Sequence, residues 1–179
     1  MANYPQLDNA RGVWNMKEVY DAVMGGYWRD ATARAVWSGG LSPGVGNVMD
    51  YITMSSTGNA TDFGDLAVAQ SNLQSAGSPT RGIFGGGRST TSPVTETNAI
   101  QYIHFASTGN AADFGDLTRS TDNITGGCIG NAVRSIFAGG GLDPGSFSDV
   151  IDYINPTSVG NAIDFGDLTQ ARRSNAKAT

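Results

Sequence analysis

Apolar residues along this chain come in short bursts cut off by glycine, and the bursts recur in a fixed order. Three of them, Ala35-Val36-Trp37, Gly82-Ile83-Phe84 and Ser135-Ile136-Phe137, each follow an arginine and run into glycines. A short apolar run of this kind predicts an inner strand buried on both faces, and the glycines after it predict a sharp turn. A second element begins at Met49, Ile100 and Ile151, with Tyr51, Tyr102 and Tyr153 two residues on. Residues two apart share a strand face, so each pair predicts a half-buried middle strand. The third element, GNAxDFGDL, starts at Gly58, Gly109 and Gly160. It predicts a polar turn in which Phe63, Phe114 and Phe165, each with a leucine three positions on, form an apolar anchor. Its Asn and Asp side chains would accept backbone N–H groups. Val68 to Ser75 and Ser120 to Ile129 are expected to add outer strands.

The GNAxDFGDL element returns every 51 residues. Three elements in the same order, three times, make an internal repeat. Arg34 and Phe63 are 29 positions apart and Arg81 and Phe114 are 33, so length changes fall in the loops, where closure entropy tolerates them. Four short strands per unit is the arithmetic of a propeller blade. The expected fold is all-β, with three blade-like repeats (34–80, 81–133 and 134–179) behind an N-terminal arm, 1–33. The arm holds GVWNMKEVYDAVMGGYW, Gly12 to Trp28. A short helix is expected over Met16 to Met24, stopped by Gly25-Gly26. Its aromatic and apolar residues would be costly to leave in water. Trp14, Val19, Tyr20, Val23, Met24, Tyr27 and Trp28 are therefore candidates for docking to a partner.

Composition narrows the picture. Of 179 residues, 25 are glycine and 15% are charged, which favours turn-rich β structure over helical bundles. A net charge of −5 argues against general nucleic-acid binding, which needs clustered cations. The single cysteine, Cys128, cannot form an intrachain disulfide. No apolar run approaches the roughly 20 residues that cross a bilayer, and Met1 to Gly12 does not read as a signal peptide. A soluble chain without membrane insertion is expected.

Catalytic chemistry is hard to assemble from this sequence. The Asp-Phe-Gly strings lack the phosphate-cradling loop and catalytic strings of a kinase. The glycine runs at 85–87 and 139–141 are followed by turn-forming residues rather than a helix that could bind phosphate. His104, the only histidine, has no counterpart in the other copies, which leaves serine and cysteine nucleophiles without a base. Calcium is an alternative to turn capping for Asp62, Asp65, Asp113, Asp116, Asp164 and Asp167, although calcium sites want six to eight oxygens. No catalytic residue and no cofactor is expected.

The arginine-aliphatic-aromatic element with its glycine pair (Gly39-Gly40, Gly85-Gly86 and Gly139-Gly140), followed by Tyr51, Tyr102 or Tyr153, resembles the kelch repeat. Phe63, Phe114 and Phe165 stand where that family carries tryptophan. The segment GVW, a helix and a terminal Trp is similar to short modules that precede repeat or fibre domains in structural proteins of tailed phages, cyanophages among them. This resemblance implies a non-enzymatic virion protein of tail-fibre or receptor-binding type. The arm would dock to other virion proteins, and the repeats would face outward to a host-surface glycan or protein. A homo-oligomer is expected, a trimer first. A capsid decoration or tail adaptor protein is the alternative, and a polysaccharide depolymerase a more distant one. Recognition would fall where the copies differ, at Ser42, Val45, Arg88, Thr90, Thr95, Asp143 and Phe147 in the loops after the glycines.

Overall fold

In the first copy, β1 (Arg34–Ser38) pairs antiparallel with β2 (Val48–Thr53), which pairs antiparallel with β3 (Thr61–Asp65). The computed structural model describes residues 16, 17, 20, 34–41, 44–89, 95–122, 128–142 and 145–173. The chain divides into Met1–Ala31 and Thr32–Thr179. Met16, Lys17 and Tyr20 have helical backbone, and the rest of the predicted arm helix lies outside the described residues.

After β4 (Gln70–Ser71) and β5 (Gln74–Gly77) the meander recurs. β6 (Arg81–Gly85) leads through β7 (Arg88–Ser89) to β8 (Thr95–His104) and β9 (Ala112–Thr121), giving the antiparallel order β5-β6-β8-β9. β10 (Cys128–Gly130), β11 (Ser135–Ala138), β12 (Gly141–Leu142), β13 (Ser146–Phe147), β14 (Val150–Ile154) and β15 (Ile163–Asp167) follow, with the order β10-β11-β14-β15. The fold is all-β, and the sheet curls as a half-barrel. β5 and β10 are outer strands, each pairing with the arginine strand that follows it.

Within the third element the Gly-Asn-Ala residues lie outside the strands, but from the residue before Asp-Phe-Gly onward the chain is a strand rather than the expected turn. Met49 pairs with Gly64 and Asp50 with Asp62, so Phe63 is an extra residue in a β-bulge. The same skip leaves Phe114 and Phe165 unpaired. Gly64, Gly115 and Gly166 take up the bend at φ of 136°, 140° and 133°, a region that favours glycine. The Asp62 and Asp164 carboxylates accept hydrogen bonds from the Gly64 and Gly166 amides at 3.1 and 3.0 Å, which locks the bend. The Asp-Phe-Gly string is thus a bulge motif.

Each bulge supports one repeated stack. Arg34, Arg81 and Arg134 lie 4.9, 4.7 and 5.0 Å over the rings of Tyr51, Tyr102 and Tyr153. Those tyrosines meet Phe63, Phe114 and Phe165 edge-on at 5.7, 5.7 and 5.8 Å. The glycines after each arginine strand are where a later stretch of chain crosses: Gly40, Gly87 and Gly140 donate to the carbonyls of Gln70, Thr121 and Arg172. The matching pair in the middle copy is therefore Gly86-Gly87 rather than the expected Gly85-Gly86, Gly85 being the last residue of β6.

The core lies between copies. The back of the first copy (Met49, Phe63 and Leu66) packs on the front of the second (Phe84, Ile103 and Ala111). Ile83, Ile100, Phe114 and Leu117 at the back of the second copy pack on Phe137 and Ile154 of the third, with Ala162 beside them. Tyr51 flanks the first cluster and Tyr102 the second, but the expected half-buried middle strand is not what the second copy shows, since Ile100 and Gln101 bury opposite faces of β8 between two neighbouring copies. Only the middle copy has its arginine strand buried on both faces, through Ile83 and Phe84. The expectation fails for the end copies, each of which has a neighbour on one side among the described residues: Trp37 is 57% exposed where Phe84 and Phe137 are each 4% exposed.

Candidate functional site: the joints between copies and the hairpins after the glycines

The polar part of each joint is built by the Gly-Asn-Ala residues. Gly109 N donates to Phe63 O and Ala111 N to Asp65 O at 2.7 and 2.8 Å, running parallel to β3. Gly160 and Ala162 repeat these bonds to Phe114 and Asp116, both at 2.7 Å. Asn110 Oδ1 accepts from Asp65 N and Asn161 Oδ1 from Asp116 N, at 3.0 and 3.1 Å. These asparagines therefore cap the preceding copy and not their own turn. Their recurrence was visible in sequence, but the partner 45 residues away was not.

A second polar clasp sits a few residues past the bulge. Thr118 N and Oγ1 both donate to the Asp152 carboxylate, at 3.1 and 2.8 Å. At the other joint the amide of Gln101, which matches Asp152, accepts from Val68 N and donates to Val68 O and to Gln70. Arg81 Nη1 reaches across to Pro156 O at 2.9 Å, and Arg34 Nη1 to Phe105 O at 2.8 Å. Arg119 is half-buried beside the second joint. Burial pulls its pKa down from its ordinary value, while Asp152, Asp149, Asp167 and Asp164 oppose that shift. Sequence reasoning missed Gln101, Thr118, Asp152 and Arg119, since no spacing rule links them.

The proposed recognition positions belong to hairpins that occupy equivalent places in the copies. Leu41 bridges Val45, β7 pairs with β8, and β12 pairs with β13. Val45 is half-buried, Thr95 is exposed and its hydroxyl lies 2.9 Å from that of Ser89, and Phe147 is exposed under the Arg173 guanidinium. Arg88 pairs with Asp122, which ties it to the scaffold. Ser42, Thr90 and Asp143 lie outside the described residues, as do Trp14, Val19, Val23, Met24, Tyr27 and Trp28 of the arm. Tyr20 is exposed.

His104 is exposed at the end of β8, edge-on to Tyr102. Among the described residues no three His, Cys, Asp or Glu side chains gather as metal ligands. No helix among them is long and apolar enough to cross a membrane. In comparisons with known proteins, no family model and no curated sequence matches this chain.

Proposed function

We propose that this chain is a non-enzymatic virion structural protein of the tail-fibre or receptor-binding type. Residues 1–33 dock to other virion proteins, and the repeats, read as kelch-like propeller blades, are displayed outward as a homo-oligomer. The observation that carries this reading is a division of labour within each copy. The Arg-Tyr-Phe stack and the bulge recur, whereas the hairpins after the glycines differ in sequence and in length. A rigid scaffold presenting variable loops is how recognition is commonly built. The four-strand orders of the second and third copies support the blade reading, while the first copy has three strands among the described residues. The resemblance of the Gly12 to Trp28 segment to phage modules supports the virion reading.

The alternative, a decoration or adaptor protein that touches only other virion proteins, draws on the apolar residues at the ends of the array, Trp37 and Phe165, which are both exposed. Loop exchange separates the two. Residues 42–44, 90–94 and 143–145 are replaced together by Gly-Ser sequences, and binding of labelled protein to a panel of cyanobacterial cells is measured. The receptor-binding reading expects binding to be lost with the melting transition unchanged. Unchanged binding to a cell that the original protein binds would sink it.

A further inference from the structure

The joint between copies is heterologous: the back of one copy meets the front of the next. Among the described residues, the front of the first copy and the back of the third therefore have no neighbouring copy. On the front of the first copy Trp37 and Val48 are 57% and 54% exposed, and on the last strand of the third Ile163 and Phe165 are 58% and 52% exposed. Phe63 and Phe114, which match Phe165, are both 2% exposed. A repeat face that meets only solvent is expected to be polar, and these two faces carry exposed apolar residues.

The polar groups of the joint are present at both ends as well. Displaced by one repeat, the acceptors Phe114 O and Asp116 O become Phe165 O and Asp167 O, and the donors Gly160 N and Ala162 N become Gly58 N and Ala60 N two copies back. The Asn161 cap on Asp116 N corresponds to Asn59 on Asp167 N. The Thr118 clasp on Asp152 corresponds to Thr169 on Asp50, with both residue types retained, and Asp50 and Thr169 are exposed. Arg134, which matches Arg81, already lies over Tyr153. Its counterpart for Pro156 O is Met54 O. A hollow of about 160 Å³ opens at the end of the β2–β3 hairpin, lined by Tyr51, Ile52, Thr53, Ser56, Thr61 and the Gly58 and Asn59 that this joint would use.

From this complementarity we infer that the back of the third copy binds the front of the first copy of a second chain, repeating the internal joint. This inference gives the homo-oligomer of the reading above a specific contact, and it rests on the geometry of the joint and not on the virion role. Such a contact closes a ring if its rotation closes and otherwise extends as a filament. Both forms use the same residues.

The test uses the full-length chain and two substitutions at exposed positions. Ala60→Glu places a charge where Ala111 and Ala162 pack, and Phe165→Asp removes the back-face ring. Mass is followed by light scattering and sedimentation over a concentration series, with circular dichroism melting of dilute protein to check that each variant folds. The unaltered chain is expected to assemble and each variant to be a folded monomer. An equal mixture of the two variants is expected to form one-to-one pairs at high concentration, because Ala60→Glu keeps an intact back and Phe165→Asp an intact front. A chain that stays monomeric throughout overturns the inference, since the end residues are then only inherited copies of the internal joint. Assembly that survives in either variant overturns it too, because association then runs through another surface, such as residues 1–33. A mixture that never pairs likewise overturns it.

Discussion

Gly115 and Gly166 occupy the same place in the bulge of successive copies, at φ of 140° and 133°. A Cβ added at Gly115 would lie 2.5 Å from Gly160 O and 2.6 Å from Gly160 C, whereas one added at Gly166 would meet nothing within 4 Å. Alanine at either site carries the backbone strain, about 1–3 kcal/mol. Only Gly115→Ala must also push the joint open. Doing so loosens the bonds from Gly160 N, from Ala162 N and to Asn161 Oδ1. At a net value of about 1 kcal/mol per hydrogen bond, the excess loss is about 2–3 kcal/mol. For a body of this size it should lower Tm by roughly 5–10 °C more than Gly166→Ala does. The assay is calorimetric or circular dichroism melting of both variants in dilute protein, where contacts between chains are absent. Equal melting temperatures would refute the argument that close backbone approach at the joint, and not local conformation alone, stabilises the array.

Other matched positions give comparable contrasts. Phe137→Ala removes a ring buried in the second joint and should destabilise by about 3–5 kcal/mol, while Trp37→Ala at the exposed end should stay within about 1 kcal/mol in dilute protein. Urea unfolding measures both, and equal losses would mean that the front of the first copy is covered even in the isolated chain. Arg81→Ala gives up the bond to Pro156 O and the stack on Tyr102, for an expected loss of about 1–3 kcal/mol. Arg81→Lys should recover only part of it, because an ammonium lacks the planar fork that stacks and donates together. Full recovery in the same unfolding assay would mean that charge alone matters.

Much of the local structure was legible in the chain itself. Apolar runs closed by glycine, a tyrosine two residues after an aliphatic, and an Asp-Phe-Gly string make the same strand pairs and the same Arg-Tyr-Phe stack wherever they occur, because these contacts form within one copy. The predicted turn failed for a local reason. Its glycine and aspartate are turn formers by type, yet here they bend a paired strand, since a bulge asks for the same φ and the same amide cap.

Burial, by contrast, was decided by position along the array. Phe63, Phe114 and Phe165 sit in nearly identical sequences, but two are buried and one is exposed, because the neighbour that covers Phe63 and Phe114 belongs to the next copy and no further copy follows the third among the described residues. Asn110 and Asn161 likewise take their roles from a partner 45 residues earlier, and Asp152 from one 34 earlier. The sequence determined an all-β chain with recurring Arg, Tyr and Asp-Phe-Gly elements and the chemistry that each carries. Only the tertiary structure decided that the core and the polar clasps lie between copies, because apolar surface and unpaired backbone groups are satisfied by whatever stands next to them in space.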